Sequence, residues 1–355
     1  MTRTISQKRA IFRALHDQGC FVLPNPWDIG SSRFLQGLGF KALATTSADF
    51  SWSAGRSDGK VPLESVLSHL KAMVDASDLP LNADFEIGFA PDANGVAANV
   101  AFAVKTGVAG LSIEDASGDP THPVFPVDIA VARLRAARQA IDDAGGDVFL
   151  VGRAENFITG NPDLEDTIVR LKAYSEAGAD CLFAPGLRTR EQISAVVAAV
   201  APKPVNLLVG APLGLTVQQI AELGVRRVSV GGALARAAWN GFMRAAHALA
   251  ERGDFEEFAN LVATPQLNAF FRISNEEPLL KQPARIVGKV DYRQGEGSLL
   301  EIPRGAVEVE TTAADAVITW PEGKFHGVAA MPVANFCQYV ADGAITVAVK
   351  PALPI

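Results

Sequence analysis

Acidic residues gather in three short stretches of this 355-residue chain, two of them running directly out of apolar segments. They are Asn82-Ala83-Asp84-Phe85-Glu86-Ile87-Gly88, Ser112-Ile113-Glu114-Asp115 and Ser57-Asp58-Gly59. Val151-Gly152-Arg153-Ala154-Glu155 adds a guanidinium in the same setting, and Thr45-Thr46-Ser47-Ala48-Asp49 adds hydroxyls, amides and one more acid. If the apolar runs are strands whose ends meet on one rim, the acids converge and their repulsion calls for a cation. A hard, oxygen-binding divalent ion, most naturally Mg²⁺ keeping several waters, meets that demand. Asp58, Asp84, Glu86, Glu114 and Asp115 are the acids that these stretches bring toward such an ion. A capping role stays open for some acids, since Asp and Glu commonly cap the helix after a strand, and Asp115 suits that role. Arg153 can grip a carboxylate with two parallel N–H bonds. It can also pair internally with Glu155 or Glu114, and the two roles are compatible. Ser47, Ala48 and Asp49 are expected to bind the other end of a small anionic substrate, with Arg153, Glu114 and Ser47 as the expected catalytic residues.

The elements that must position these groups follow from an alternation of short apolar runs with longer helical patterns between Cys20 and about Ala250, the signature of parallel βα units. Eight strands are expected: Cys20–Pro24, Ala42–Thr46, Leu81–Asp84, Gly110–Glu114, Val148–Arg153, Cys181–Ala184, Val205–Leu208 and Arg227–Val230. Helical patterns include Pro62–Ala76, Val127–Asp143 with Arg133, Arg135 and Arg138 on its wetter side, and Asp163–Ala177, which stops at Gly178. Eight such units over this length predict a closed (β/α)₈ TIM-type barrel, in which functional groups project from the C-terminal strand ends. The first turn, Asn25-Pro26-Trp27-Asp28, has no G-x-G-x-x-G, which argues against a dinucleotide-binding sheet.

After a helical segment around Asp254–Ala263 the texture changes near Pro278. Alternating runs such as Ala306–Thr311 and Ala316–Trp320, broken by Gly- and Pro-containing turns, predict a small β-rich domain over 276–355, the barrel taking 1–275. His326 and Cys337 are read there as structural or surface residues. A net charge of −7 and a pI near 5.4 exclude a basic nucleic-acid footprint. No window approaches the roughly 20 apolar residues of a membrane helix, and the N-terminus has no apolar signal core. Three scattered cysteines, Cys20, Cys181 and Cys337, suit a reducing compartment, so a cytoplasmic location is expected.

Taken together, these residues resemble the isocitrate lyase/phosphoenolpyruvate mutase superfamily across nearly the whole predicted barrel, from Asn25-Pro26-Trp27-Asp28 to Gly231-Gly232. Ser47-Ala48 stands where the family has Ser-Gly, and Gly55 with Asp58 where it has a glycine and an acid. Asp84-Phe85-Glu86-Ile87-Gly88 matches its Asp-x-Asp-x-Gly motif, Glu114-Asp115 its Glu-Asp, and Arg153-Ala154-Glu155 its Arg-x-Asp/Glu. The resemblance implies Mg²⁺ bound directly by Asp84, with Asp58, Glu86 and Glu114 holding its waters. It also implies a substrate held by Ser47, the Ala48 amide and Arg153, and a homodimer or homotetramer that exchanges the last barrel helix between subunits.

Two departures bear on the reaction. Isocitrate and methylisocitrate lyases carry Lys-Lys-Cys-Gly-His after the fourth strand, whereas this chain reads Asp115-Ala116-Ser117-Gly118-Asp119-Pro120-Thr121-His122-Pro123 and offers no thiol. Phosphonomutases use a lysine and an asparagine in that loop and a histidine after the sixth strand, where this chain has Phe183-Ala184-Pro185-Gly186. The expectation is a Mg²⁺-dependent lyase of small 2-oxo or 2-hydroxy acids, cleaving a C–C bond through a metal-stabilised enolate as in oxaloacetate decarboxylation. The alternative is a mutase that makes or breaks a phosphorus–carbon bond. His122 is read as a solvent-exposed loop histidine, with a role in proton delivery left open.

Overall fold

The computed structural model describes residues 3–275, 279–293, 299–311, 315–322 and 325–347. Eight parallel strands make the first sheet: β1 (Phe21–Leu23), β2 (Leu43–Ala44), β3 (Leu81–Asp84), β4 (Gly110–Glu114), β5 (Phe149–Arg153), β6 (Cys181–Phe183), β7 (Val205–Leu208) and β8 (Arg227–Ser229). The strand order β1-β8-β7-β6-β5-β4-β3-β2 places each strand beside its sequence neighbour and the first beside the last. Where β1 and β2 lack a ladder, the Ala44 N–H donates to the Pro24 carbonyl at 3.1 Å. Asn25 reinforces this seam. Its side-chain amide donates to the Thr45 carbonyl at 3.2 Å, and its oxygen accepts from the Val230 and Gly231 N–H groups at 3.0 and 2.9 Å. The result is the expected (β/α)₈ barrel.

Helix α1 (Ile5–Ala14) precedes the barrel, and its Phe12 packs among Ala109, Phe149 and Cys181 at or just before the N-terminal ends of their strands. His16 stacks on Phe149 and donates from Nδ1 to the Phe12 carbonyl at 2.8 Å. Burial, aided by the charge of Arg227, pushes its pKa down to about 3, so the ring is neutral in this apolar plug.

The sequence signals explain the helix limits. The side chain of Asp163 accepts the Asp166 N–H at the start of the helix Leu164–Glu176, and Gly178 follows its end at φ +101°. The helix Val127–Asp143 spans its expected length, but Arg133 is buried on it rather than wet. Its guanidinium donates to the carbonyls of Ile87, Ala90 and Pro91 at 2.5, 2.8 and 3.0 Å, so it fixes the loop that leaves β3. Residue composition gave no hint of that partner, because the carbonyls lie more than forty residues earlier.

The chain divides into two compact units, Met1–Ser32 with Lys41–Phe242, and Arg33–Phe40 with Met243–Ile355. The division falls within the helix Ala233–Arg252, before the expected 275/276 boundary, and the helix Thr264–Asn275 belongs to the second unit, its Phe270 packing with Val333 and Cys337. The expected helix around Asp254–Ala263 is a single 3₁₀ turn, Glu256–Phe258. In the second unit β9 (Leu279–Ile286), β10 (Gly305–Thr311), β11 (Asp315–Glu322), β12 (Phe325–Pro332) and β13 (Ile345–Val347) form an antiparallel sheet in the order β12-β11-β10-β9-β13. Along β10, Val307, Val309 and Thr311 are buried while Ala306, Glu308 and Glu310 are exposed, the alternation of a sheet with one covered face. Cys337 is buried and His326 exposed. Among the described residues no helix is long and apolar enough to cross a membrane.

Candidate active site

The C-terminal end of β3 presents Asp84, and three neighbours immobilise it. The Ser47 N–H donates to its Oδ2 at 3.2 Å, the Ser112 hydroxyl to its Oδ1 at 3.4 Å, and Arg153 Nη1 to Oδ1 at 3.3 Å. Ser47 opens the short helix Ser47–Ser53, while Arg153 closes β5. The same Nη1 lies 3.1 Å from Glu114 Oε2, and Nε donates to Glu155 Oε1 at 2.5 Å. Both internal pairings of Arg153 are therefore made, and its plane also lies over the Phe183 ring, 5.2 Å from the centroid. No hydrogen bond among the described residues uses Nη2 of Arg153.

The loop out of β3 carries Glu86 at φ +47° and Gly88 at φ +80°, and a side chain on Gly88 would press on Val96. This left-handed backbone is uncommon for a residue such as Glu86 and is held by the Arg133 contacts below it. Gly59 passes close to Glu86, which brings the Asp58 loop to the same rim. Burial, then the charges of Asp84 and Asp58, push the Glu86 carboxyl up to about 7. Glu114 is likewise raised, by burial first and by Glu155, Asp84 and Glu86, against the opposing pull of Arg153. Several carboxylates thus share one guanidinium, an excess of negative charge that a cation would relieve. Among the described residues no three such groups converge into a complete cage. The all-oxygen donor set fits a hard divalent ion that keeps most of its waters.

A cavity of about 200 Å³ opens between these groups, lined at its rim by Ser47, Ala48, Asp58, Asp84, Arg153 and Phe183. Asp49 is not among its lining residues. It is buried beneath Gly232, both carboxylate oxygens lack a hydrogen-bond partner, and burial with the nearby Asp58 and Asp84 raises its pKa to about 7. His122 stands away from the cavity, exposed on a hairpin made by Ala116–Asp119 and His122–Val124, where it contacts Asp119 and Thr121.

Asp115 does not cap a helix, because a hairpin rather than a helix follows β4. It is buried and accepts from the Glu155 N–H at 2.8 Å, Arg170 Nη1 at 3.0 Å and the Tyr174 hydroxyl at 2.5 Å. Asp115 thereby fixes the backbone of Glu155 beside Arg153. Asp115→Ala should destabilise the fold by about 3 kcal/mol, since it removes one partner of a buried ion pair. Urea denaturation measures this, and an unshifted midpoint would remove Asp115 from the scaffold of the site.

The Phosphoenolpyruvate phosphomutase family model matches residues 12–250, which span the barrel and this rim. This chain belongs to the isocitrate lyase/phosphoenolpyruvate mutase superfamily. It is 33% identical over 261 residues to an uncharacterized protein of Mycobacterium tuberculosis, covering 73% of this chain and 95% of that one. An oxaloacetate decarboxylase of Paraburkholderia xenovorans is 30% identical over 238 residues, 64% of this chain and 76% of the relative. Among solved structures, a candidate lyase/mutase from Burkholderia cenocepacia J2315 superposes with a TM-score of 0.73 at 42% identity, over 76% of this chain and 97% of that one. The (β/α)₈ barrel matches the fold of superfamily structures, and here the β-rich sheet follows it in sequence.

Sequence reasoning missed the polar residues inside the strands. Asn82, Asn206, Arg227 and Ser229 also line the cavity. The available signal was their presence within runs otherwise made of Val, Leu and Ala.

Proposed function

We propose that this protein is a Mg²⁺-dependent carbon–carbon lyase of small 2-oxo diacids, with oxaloacetate decarboxylation as its simplest reaction. The observation that carries this reading is the rim itself, where Asp84, Arg153, Ser47 and Ala48 line one small cavity with neither a thiol nor an imidazole in its lining. Asp84 would hold the metal, and Asp58, Glu86 and Glu114 its waters. When bound, Mg²⁺ supplies Lewis-acid stabilisation of negative charge developing on the 2-oxo oxygen. The protein's own groups orient the acid. Arg153 offers Nη2 to its carboxylate while Nε and Nη1 are tied to Glu155, Glu114 and Asp84. Phe183 forms an apolar wall that fixes the plane of the guanidinium. The bond from C3 to the departing carboxylate breaks, carbon dioxide leaves, and the electron pair passes toward the 2-oxo oxygen before C3 takes a proton. Charge stabilisation matters more than a dedicated base in such a step, which accords with a distant, exposed His122.

The 30% identity to an oxaloacetate decarboxylase supports this choice, whereas the family description keeps phosphorus–carbon chemistry as the competing reading. Incubating the protein and Mg²⁺ with oxaloacetate, 2-alkylmalates, methylisocitrate and phosphonopyruvate separates them. Pyruvate formation from oxaloacetate that stops on chelation is expected, with methylisocitrate and phosphonopyruvate unchanged. Methylisocitrate cleavage at an ordinary kcat of roughly 1–10³ s⁻¹, or isomerisation of phosphonopyruvate, would overturn the assignment.

A further inference from the structure

Below the acidic rim the cavity ends on a cation with no carboxylate beside it. Arg227, the first residue of β8, is 2% exposed and lines the same cavity as Asp84 and Arg153. Its Nε donates to Asn206 Oδ1 at 2.8 Å, and its Nη1 to Asn82 Oδ1 at 3.4 Å, the latter across the barrel to β3. Among the described residues no hydrogen bond uses Nη2 and no salt bridge reaches the guanidinium. Asn206 is itself held by donating to Ser229 Oγ at 3.0 Å. A guanidinium does not shed its proton in a protein, and a buried charge is costly unless it is paired. Two amide oxygens solvate Arg227 without neutralising it. Asn82 and Asp84 project from the same face of β3, two residues apart, so the two levels are separated by roughly 7 Å at the usual rise per residue.

We propose that the floor of the cavity is an anion subsite in which Arg227, framed by Asn82 and Asn206, takes the distal carboxylate of a small diacid whose other carboxylate is held at the rim by Arg153. The subsite rests on the lyase reading only for the reaction that its ligand undergoes. It makes Arg227 the residue that selects diacids over monoacids, and a cavity of about 200 Å³, below the usual range of roughly 300–1,000 Å³ for ligand pockets, limits the acid to a few carbons.

Succinate and propionate differ by that second carboxylate, and their binding to the full chain in chelator, read by calorimetry, tests the subsite without turnover. The wild-type chain should bind succinate at least about tenfold more tightly than propionate. Arg227→Met should bring the two affinities together. Asn82→Asp, which sets an internal carboxylate against Arg227, should also erase the preference and raise the melting temperature, and it decides the matter if Arg227→Met does not fold. A wild-type chain that binds both acids equally, or an Asn82→Asp chain that keeps the preference, overturns the proposal. A preference that depends on Arg227 in a protein inactive on every 2-oxo acid would keep the subsite and reject the lyase.

Discussion

Asp84→Ala should abolish Mg²⁺ binding and reduce turnover to background while leaving the metal-free fold intact. The expectation follows from the position of Asp84 at the end of β3, where its partners are Ser47, Ser112 and Arg153 and not the apolar core. Removing it leaves Arg153 paired to Glu114 and Glu155, so no buried charge is stranded. It also removes one of the charges that push the Glu86 and Glu114 carboxyls upward. The metal-free protein should accordingly melt no lower than the wild type. Calorimetric titration with Mg²⁺ reads the first effect and scanning calorimetry the second. Unimpaired turnover would sink the metal assignment, whereas a collapsed melting transition would show that Asp84 is structural.

The barrel was legible because strand ends and polar groups coincide in its sequence. Asp84, Glu114 and Arg153 each terminate an apolar run, and each lies at a strand end in the structure. Asp115 was read less well. Its position after β4 suggests a cap, but its ligands Arg170 and Tyr174 arrive from a helix about sixty residues later, and no local pattern announces such a partner. Arg133 misled for the same reason, since a charged residue in an amphipathic helix is ordinarily wet. Asn82, Asn206 and Arg227 were hidden by the opposite effect. They interrupt strands that periodicity identifies correctly, and only closure of the barrel brings residues from β3, β7 and β8 into one hydrogen-bonded layer. Asp49, named with Ser47 and Ala48 as one segment, shows how a helix divides such a group. The helix Ser47–Ser53 leaves the first two at the cavity and carries the third beneath Gly232.

Arg153→Lys should lower kcat/KM by about 10²-fold, through both a higher KM and a lower kcat. The guanidinium serves three carboxylates from fixed directions, with Nε on Glu155 and Nη1 between Asp84 and Glu114. That leaves Nη2 for the substrate. A lysine keeps the charge but gathers it on one tetrahedral nitrogen, which cannot reproduce a planar fork. Whichever acid the ammonium approaches, the others lose their counter-charge, and Glu114 and Glu155 are already driven toward protonation by burial. The rim then loses its alignment as well as its grip on the acid, so both kinetic parameters should move. Mg²⁺ binding should survive because Asp84 remains, which distinguishes this variant from Asp84→Ala. Steady-state kinetics on oxaloacetate beside a Mg²⁺ titration supply the comparison. A rise in KM alone would confine Arg153 to substrate binding, and kinetics indifferent to the substitution would make it a structural counter-ion for Glu114 and Glu155.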